Sequence, residues 1–77
     1  MRKVGDRVKL TSIVHGISDS NPYFLKYKIL GTVYKVLGLE WTCPFKVKWD
    51  NGIKNGYNSW DLEDSEYIIG LDELFEL

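Results

Sequence analysis

His15 and Cys43 are each the only residue of their type in this 77-residue chain. One imidazole excludes a paired-histidine metal site, and one thiol excludes both a thiolate zinc site and an internal disulfide. A Cys43/His15 nucleophile pair is formally available. However, Cys43 directly precedes Pro44 in a strand-like run, and no neighbouring charge marks its thiol as activated. Asp61, Glu63 and Asp64 lack the loop spacing of a calcium site and read as solvated acids after a helical turn. No glycine-rich loop is present to cradle a phosphate. The expectation is a protein that is not an enzyme and that uses no metal or cofactor.

Binding chemistry is better supplied. Three Trp, five Tyr and three Phe make up 14% of the chain. Trp41, Trp49, Tyr57 and Trp60, with Tyr34, have the side chains of a stacking platform or a cation cage. Trp49 shares a strand face with Phe45 and Val47, which assigns it to the core, whereas Trp41 and Trp60 fall near strand or turn ends. Tyr23, Phe24 and Tyr27 follow Pro22 in a long loop and are candidate contacts for a protein partner. Lys46 and Lys48 line the opposite face of the Trp49 strand. Together with Lys35, Lys9 and the nearby Lys54, they form the alternative site, a basic surface for nucleic-acid phosphates. The N-terminal cations Arg2, Lys3, Arg7 and Lys9 add to that cluster. The counter-reading is that outward lysines are ordinary solvated surface or guard an exposed sheet edge.

The net charge is −1, which argues against a dedicated nucleic-acid binder. Its distribution is uneven. Residues 1–54 hold all ten Lys and Arg against four acids, while residues 55–77 hold seven acids and no base. Such a run reads either as an acidic interaction tail or as a segment that folds back and neutralises the basic part. A chain of this size is one domain and buries only about 60% of its unfolded surface, so large aromatic side chains are needed to fill its core. No run approaches a membrane span, and the start Met1-Arg2-Lys3-Val4-Gly5-Asp6 is not followed by the apolar stretch of a signal peptide. With the lone Cys43, this leads to the expectation of a cytoplasmic protein with no membrane association.

The elements that must carry these side chains are strands. Arg7 to Val14 alternates and reads as the first strand. Residues 15–28 are a long loop, whose second half forms either a helical turn or a strand edge. Ile29 to Leu37 is β-branched and aromatic, with Gly31 marking a bulge or a close backbone approach. Trp41 to Trp49 is the third strand, with Pro44 at an edge or bulge. Asp50-Asn51-Gly52 is a tight turn, and Ile53 to Tyr57 returns from it. Ser59 to Leu62 reads as one helical turn, and Glu66 to Ile69 as a short fifth strand. The tail 70–77 places Leu71, Leu74 and Phe75 at helical spacing between acids.

The series Val4-Gly5-Asp6-Arg7-Val8, Gly31-Thr32-Val33, Val47-Lys48-Trp49-Asp50-Asn51-Gly52, Tyr57 and Asp61-Leu62 resembles an SH3-like small barrel. Its middle is similar to the Mind-bomb/HERC-type domain and, more loosely, to Tudor and KOW modules, over about residues 4–69. His15 to Tyr27 stands where the Mind-bomb/HERC-type domain has a Trp- and Gly-rich segment, and Asn58 where it has an Arg, so its peptide recognition is not carried over. The pattern is also similar to small phage and bacterial proteins that bind and modulate host machinery.

The expected fold is all-β: a five-stranded SH3-like barrel over 1–69 with a single helical turn, and an acidic amphipathic tail over 70–77. The expected core is Val4, Val8, Leu10, Val33, Val36, Phe45, Val47, Trp49, Tyr57, Leu62 and Ile68. The expected function is a monomeric binding module for a protein partner, acting through Tyr23, Phe24, Tyr27, Trp41, Trp60, Leu74 and Phe75. The alternative is nucleic-acid binding through Lys9, Lys35, Lys46 and Lys48.

Overall fold

The structure is a computed structural model that describes residues 2–38 and 40–65. It is all-β, with one antiparallel sheet of five strands: β1 (Arg7–Leu10), β2 (Gly31–Val36), β3 (Phe45–Trp49), β4 (Lys54–Tyr57) and β5 (Leu62–Asp64). A single helical turn, α1 (Phe24–Tyr27), lies in the long loop, and a 3-10 turn (Ser59–Asp61) joins β4 to β5. The spatial order is β4-β3-β2-β1-β5.

The β3–β4 hairpin forms because its apolar residues recur every second position. Phe45, Val47 and Trp49 are buried, while Lys46 and Lys48 face outward. The turn is closed by the Gly52 N–H donating to the Trp49 carbonyl at 2.8 Å. Gly52 has φ +91°, a left-handed conformation that glycine adopts without strain. Gly31 serves a different need. A Cβ there would lie 2.5 Å from Trp49 Cε3 and 2.6 Å from a Val47 methyl, so its missing side chain is the space the indole fills. The expected close approach at Gly31 is therefore present, and the bulge lies further along, between Val33 and Lys35.

The core comprises Val8, Leu10, Val33, Phe45, Val47, Trp49, Tyr57 and Leu62, with Ile29 packed against it. Each such aliphatic or aromatic side chain contributes roughly 1.5–3 kcal/mol by leaving water. Val4 is 58% exposed and Val36 is 38% exposed, so neither belongs to the expected core. Val4 precedes the Gly5 turn and β1. Val36 opposes Phe45 at the last rung of β2, where the sheet ends. Ile68 lies outside the described residues.

Three further expectations are corrected. The first strand stops at Leu10 rather than Val14, because its partner β5 begins only at Leu62, after the 3-10 turn; beyond that rung the Thr11 N–H still donates to the Asp61 carbonyl at 3.0 Å. The fifth strand is Leu62–Asp64 rather than 66–69. The free edge of β1 selects it, pairing Leu10 with Leu62 and Lys9 with Glu63. The sheet is not closed into a barrel, since β5 pairs with β1 and no ladder joins it to β4 among the described residues. The region 66–69 and the tail 70–77 lie outside the described residues.

Candidate functional site: the Trp60 turn

The 3-10 turn that carries Trp60 is fixed from several directions. Asn58, which precedes it, donates its backbone N–H to Asp61 Oδ2 at 3.1 Å, and the Asp61 N–H returns to the Asn58 carbonyl at 3.1 Å. This is the logic of a helix start: a polar residue followed three positions later by an acid that satisfies an otherwise free backbone donor. From the long loop, Thr11 holds the Asp61 carbonyl, and His15 Nε2 lies 3.1 Å from Asp61 Oδ2. From the N-terminus, the Arg2 guanidinium donates to the Ser59 carbonyl at 3.0 Å and to the Leu62 carbonyl at 3.1 Å. Arg2 also lies over the Phe45 ring, with its central carbon 5.9 Å from the ring centroid.

Asp61 is the centre of this arrangement. It is 0% exposed, which corrects its expected place among the solvated acids; Glu63 and Asp64 are exposed. Burial works against its ionised form. Hydrogen bonds to its Oδ2 from the Asn58 backbone and His15 offset that burial, so the carboxyl is held below the ordinary carboxylate range.

The side chains presented on this scaffold are apolar. Trp60 is 76% exposed, and Ile13, Val14 and Trp41 are also exposed. The loop bearing Trp41 is tied to the turn by the Cys43 N–H donating to Asn58 Oδ1 at 3.3 Å, with Asn58 Nδ2 3.8 Å from Cys43 Sγ. Cys43 has φ +53°, the left-handed region that a residue with a Cβ enters only at a cost. His15 and Cys43 thus meet the same turn through different partners, Asp61 and Asn58.

The other candidate contacts are placed elsewhere. Tyr23, Phe24 and Tyr27 are half-buried, and Tyr23 bridges to Leu10. Lys9 and Lys28 stand 5.2 Å and 5.3 Å from the Phe24 ring centroid. Among the described residues, no hydrogen bond or ring contact links these three aromatics to Trp41 or Trp60. Leu74 and Phe75 lie outside the described residues. The Trp49 indole is core, and its N–H donates to the Tyr57 hydroxyl at 3.0 Å.

The lysines divide into two groups. Lys9 is on β1, ion-paired with Glu63 at 3.3 Å. Lys35, Lys46 and Lys48 share the outer face of β2 and β3, joined by Lys54 of β4. The N-terminal cluster is not a free basic surface. Arg2 pairs with Asp64, Lys3 with Asp6, and Arg7 with Asp50.

Sequence reasoning missed Arg2 as a support of the turn, since no local signal connects it to residues 57 and 60 positions away. It also missed Asn55, whose side chain donates to the Ser20 carbonyl and to Asn21 Oδ1, pinning the long loop to β4. The Asn58-to-Asp61 spacing was the available signal for the buried acid. No family model matches the chain, and no curated protein or solved structure matches it either.

Proposed function

We propose that this protein is a non-enzymatic binding module that recognises a protein partner through the apolar rim around Trp60. The observation that carries the reading is a tryptophan 76% exposed on a turn held by Arg2, Thr11, His15 and Asn58. An exposed indole on a fixed backbone gains contact area with little ordering cost, and tryptophan is enriched among residues that dominate interface energetics. Ile13, Val14 and Trp41 are exposed as well, on segments that Thr11, His15 and Cys43 tie to this turn. The left-handed backbone at Cys43 is local strain held in the loop that presents Trp41, and strain of this kind clusters at functional positions.

The finer fold reading, an SH3-like module, belongs with this proposal. It is supported by the strand order β4-β3-β2-β1-β5 and by the single 3-10 turn between the last two strands. A cytoplasmic setting is supported by the lone, unbridged Cys43.

The test is affinity capture with the full chain and with Trp60→Ser as baits, followed by reconstitution from purified components. A partner that binds the parent chain and loses at least about tenfold in affinity with Trp60→Ser supports the reading. A partner that binds both baits equally contradicts it.

A further inference from the structure

The outer face of β2, β3 and β4 carries a pattern that solvation does not explain. Lys35 is directly opposite Lys46, and Lys48 is directly opposite Lys54. Like charges in directly opposed positions destabilise a sheet. The same molecule shows the ordinary solution on its other half, where Lys9 is opposite Glu63 and ion-paired with it. Arg2, Lys3 and Arg7 are ion-paired as well, and Lys26 and Lys28 lie over the Tyr27 and Phe24 rings. Among the described residues, Lys35, Lys46, Lys48 and Lys54 have no carboxylate within ion-pair distance, and all four share one face.

A second feature sits among them. Tyr34 follows the inward Val33 and is 41% exposed, with Lys54 Nζ 5.0 Å from its ring centroid, and the bulge between Val33 and Lys35 sets Lys35 opposite Lys46 beside it. Lys46 Nζ lies over Gly56, where a Cβ would approach it to 2.7 Å, so the strand leaves that ammonium room at the surface. Asp50, the residue that follows β3, is already held by Arg7 through two hydrogen bonds of 2.8 and 2.7 Å.

We propose that this face binds single-stranded nucleic acid, with Lys35, Lys46, Lys48 and Lys54 contacting successive phosphates and Tyr34 stacking on a base. The lysines form a diagonal stripe across three strands, spaced by the roughly 5 Å between strands and the roughly 7 Å between alternate residues. Four ammonium groups supply charge complementarity to a phosphodiester backbone. An exposed ring among them requires an unstacked base, which favours a single strand over a duplex. The site is separate from the Trp60 rim and does not depend on it.

The test is fluorescence anisotropy of the full chain with a short fluorescein-labelled oligothymidylate, across about 50–300 mM salt. The same sequence as a duplex is a comparator, and inorganic polyphosphate is a competitor. Saturable binding, tighter to the single strand, is expected, with a log–log salt slope of about −3 from four phosphate contacts. Lys48→Gln with Lys54→Gln should weaken binding about tenfold and halve that slope to about −1.4. Tyr34→Ala should weaken binding about tenfold and leave the slope unchanged. Both variants alter surface residues, and far-ultraviolet circular dichroism checks that they remain folded. No saturable binding at low salt, or a slope indifferent to the lysine pair, overturns the proposal. Equal binding by Tyr34→Ala with full competition by polyphosphate also overturns it, as that is the signature of an unspecific polyanion surface.

Discussion

The Trp49 indole N–H donates to the Tyr57 hydroxyl at 3.0 Å, and this bond joins the core to the long loop. The same hydroxyl lies 2.8 Å from the Ser20 carbonyl and 2.9 Å from Asn21 Oδ1, both of which also accept from the Asn55 amide. Asn51 adds a bond to the Asp19 carbonyl at 2.8 Å. The tip of the loop is thereby docked onto the β3–β4 hairpin. The loop stem at Thr11 and His15 is docked onto the Trp60 turn.

Tyr57→Phe removes one oxygen atom and leaves the buried Trp49 N–H without its acceptor. The expected cost is about 1–3 kcal/mol. In a domain of this size that lowers the thermal midpoint by about 5–20 °C. Thermal unfolding measures it, and amide exchange should quicken at Ser18 and Asn21, whose backbone groups bond each other across the loop tip. An unchanged midpoint would mean that the hydroxyl is not a structural link.

Asp61 predicts how the site responds to acid. Its folded-state carboxyl is held below its unfolded value, so the stability it contributes is fully present above an unfolded pKa of about 3.9. That contribution is lost as pH falls through the lower folded value. Asp50, held low by its hydrogen bonds with Arg7, acts in the same direction. Asp61→Asn isolates the buried group. Urea midpoints of the parent chain and of this variant should be well separated at neutral pH and begin to draw together only as pH falls below about 4. A gap independent of pH would show that the charge of Asp61 contributes nothing.

The lysine face separates stability from binding. Lys48→Glu replaces a like-charge pair with Lys54 by an opposite-charge one, and should raise stability by about 0.2–1 kcal/mol while weakening any anion bound there. A chemical denaturation curve reads the first effect. A drop in stability would show that the opposed lysines do not repel in the folded sheet.

Much of the scaffold was legible because its signals are local. Phe45, Val47 and Trp49 alternate with Lys46 and Lys48, and Gly52 marks the hairpin turn. Gly31 announced a close approach, and the 3-10 turn was visible at Ser59. What escaped depends on distant partners. Leu62–Asp64 carries one apolar residue and two acids, and becomes a strand only because the edge of β1 is open to it. Asp61 looks like its acidic neighbours until His15, Thr11 and Asn58 close around it. Arg2 reads as part of a basic N-terminus, yet its two terminal guanidinium nitrogens donate to the two ends of the turn, at Ser59 and Leu62. The bulge beside Tyr34 has no glycine or proline of its own and left no mark in the sequence.

The three tryptophans supply the most direct test of the Trp60 rim as a protein-binding site. Trp41 and Trp60 are exposed and Trp49 is buried, so their three indole N–H resonances report separately on surface and core. The measurement is a titration of the isotope-labelled full chain with its captured partner, followed by nitrogen–proton correlation spectra. The expected result is that the Trp60 and Trp41 indole signals shift or broaden at stoichiometric partner while the Trp49 signal stays in place. Partner-induced changes that leave Trp60 untouched would contradict the proposed site.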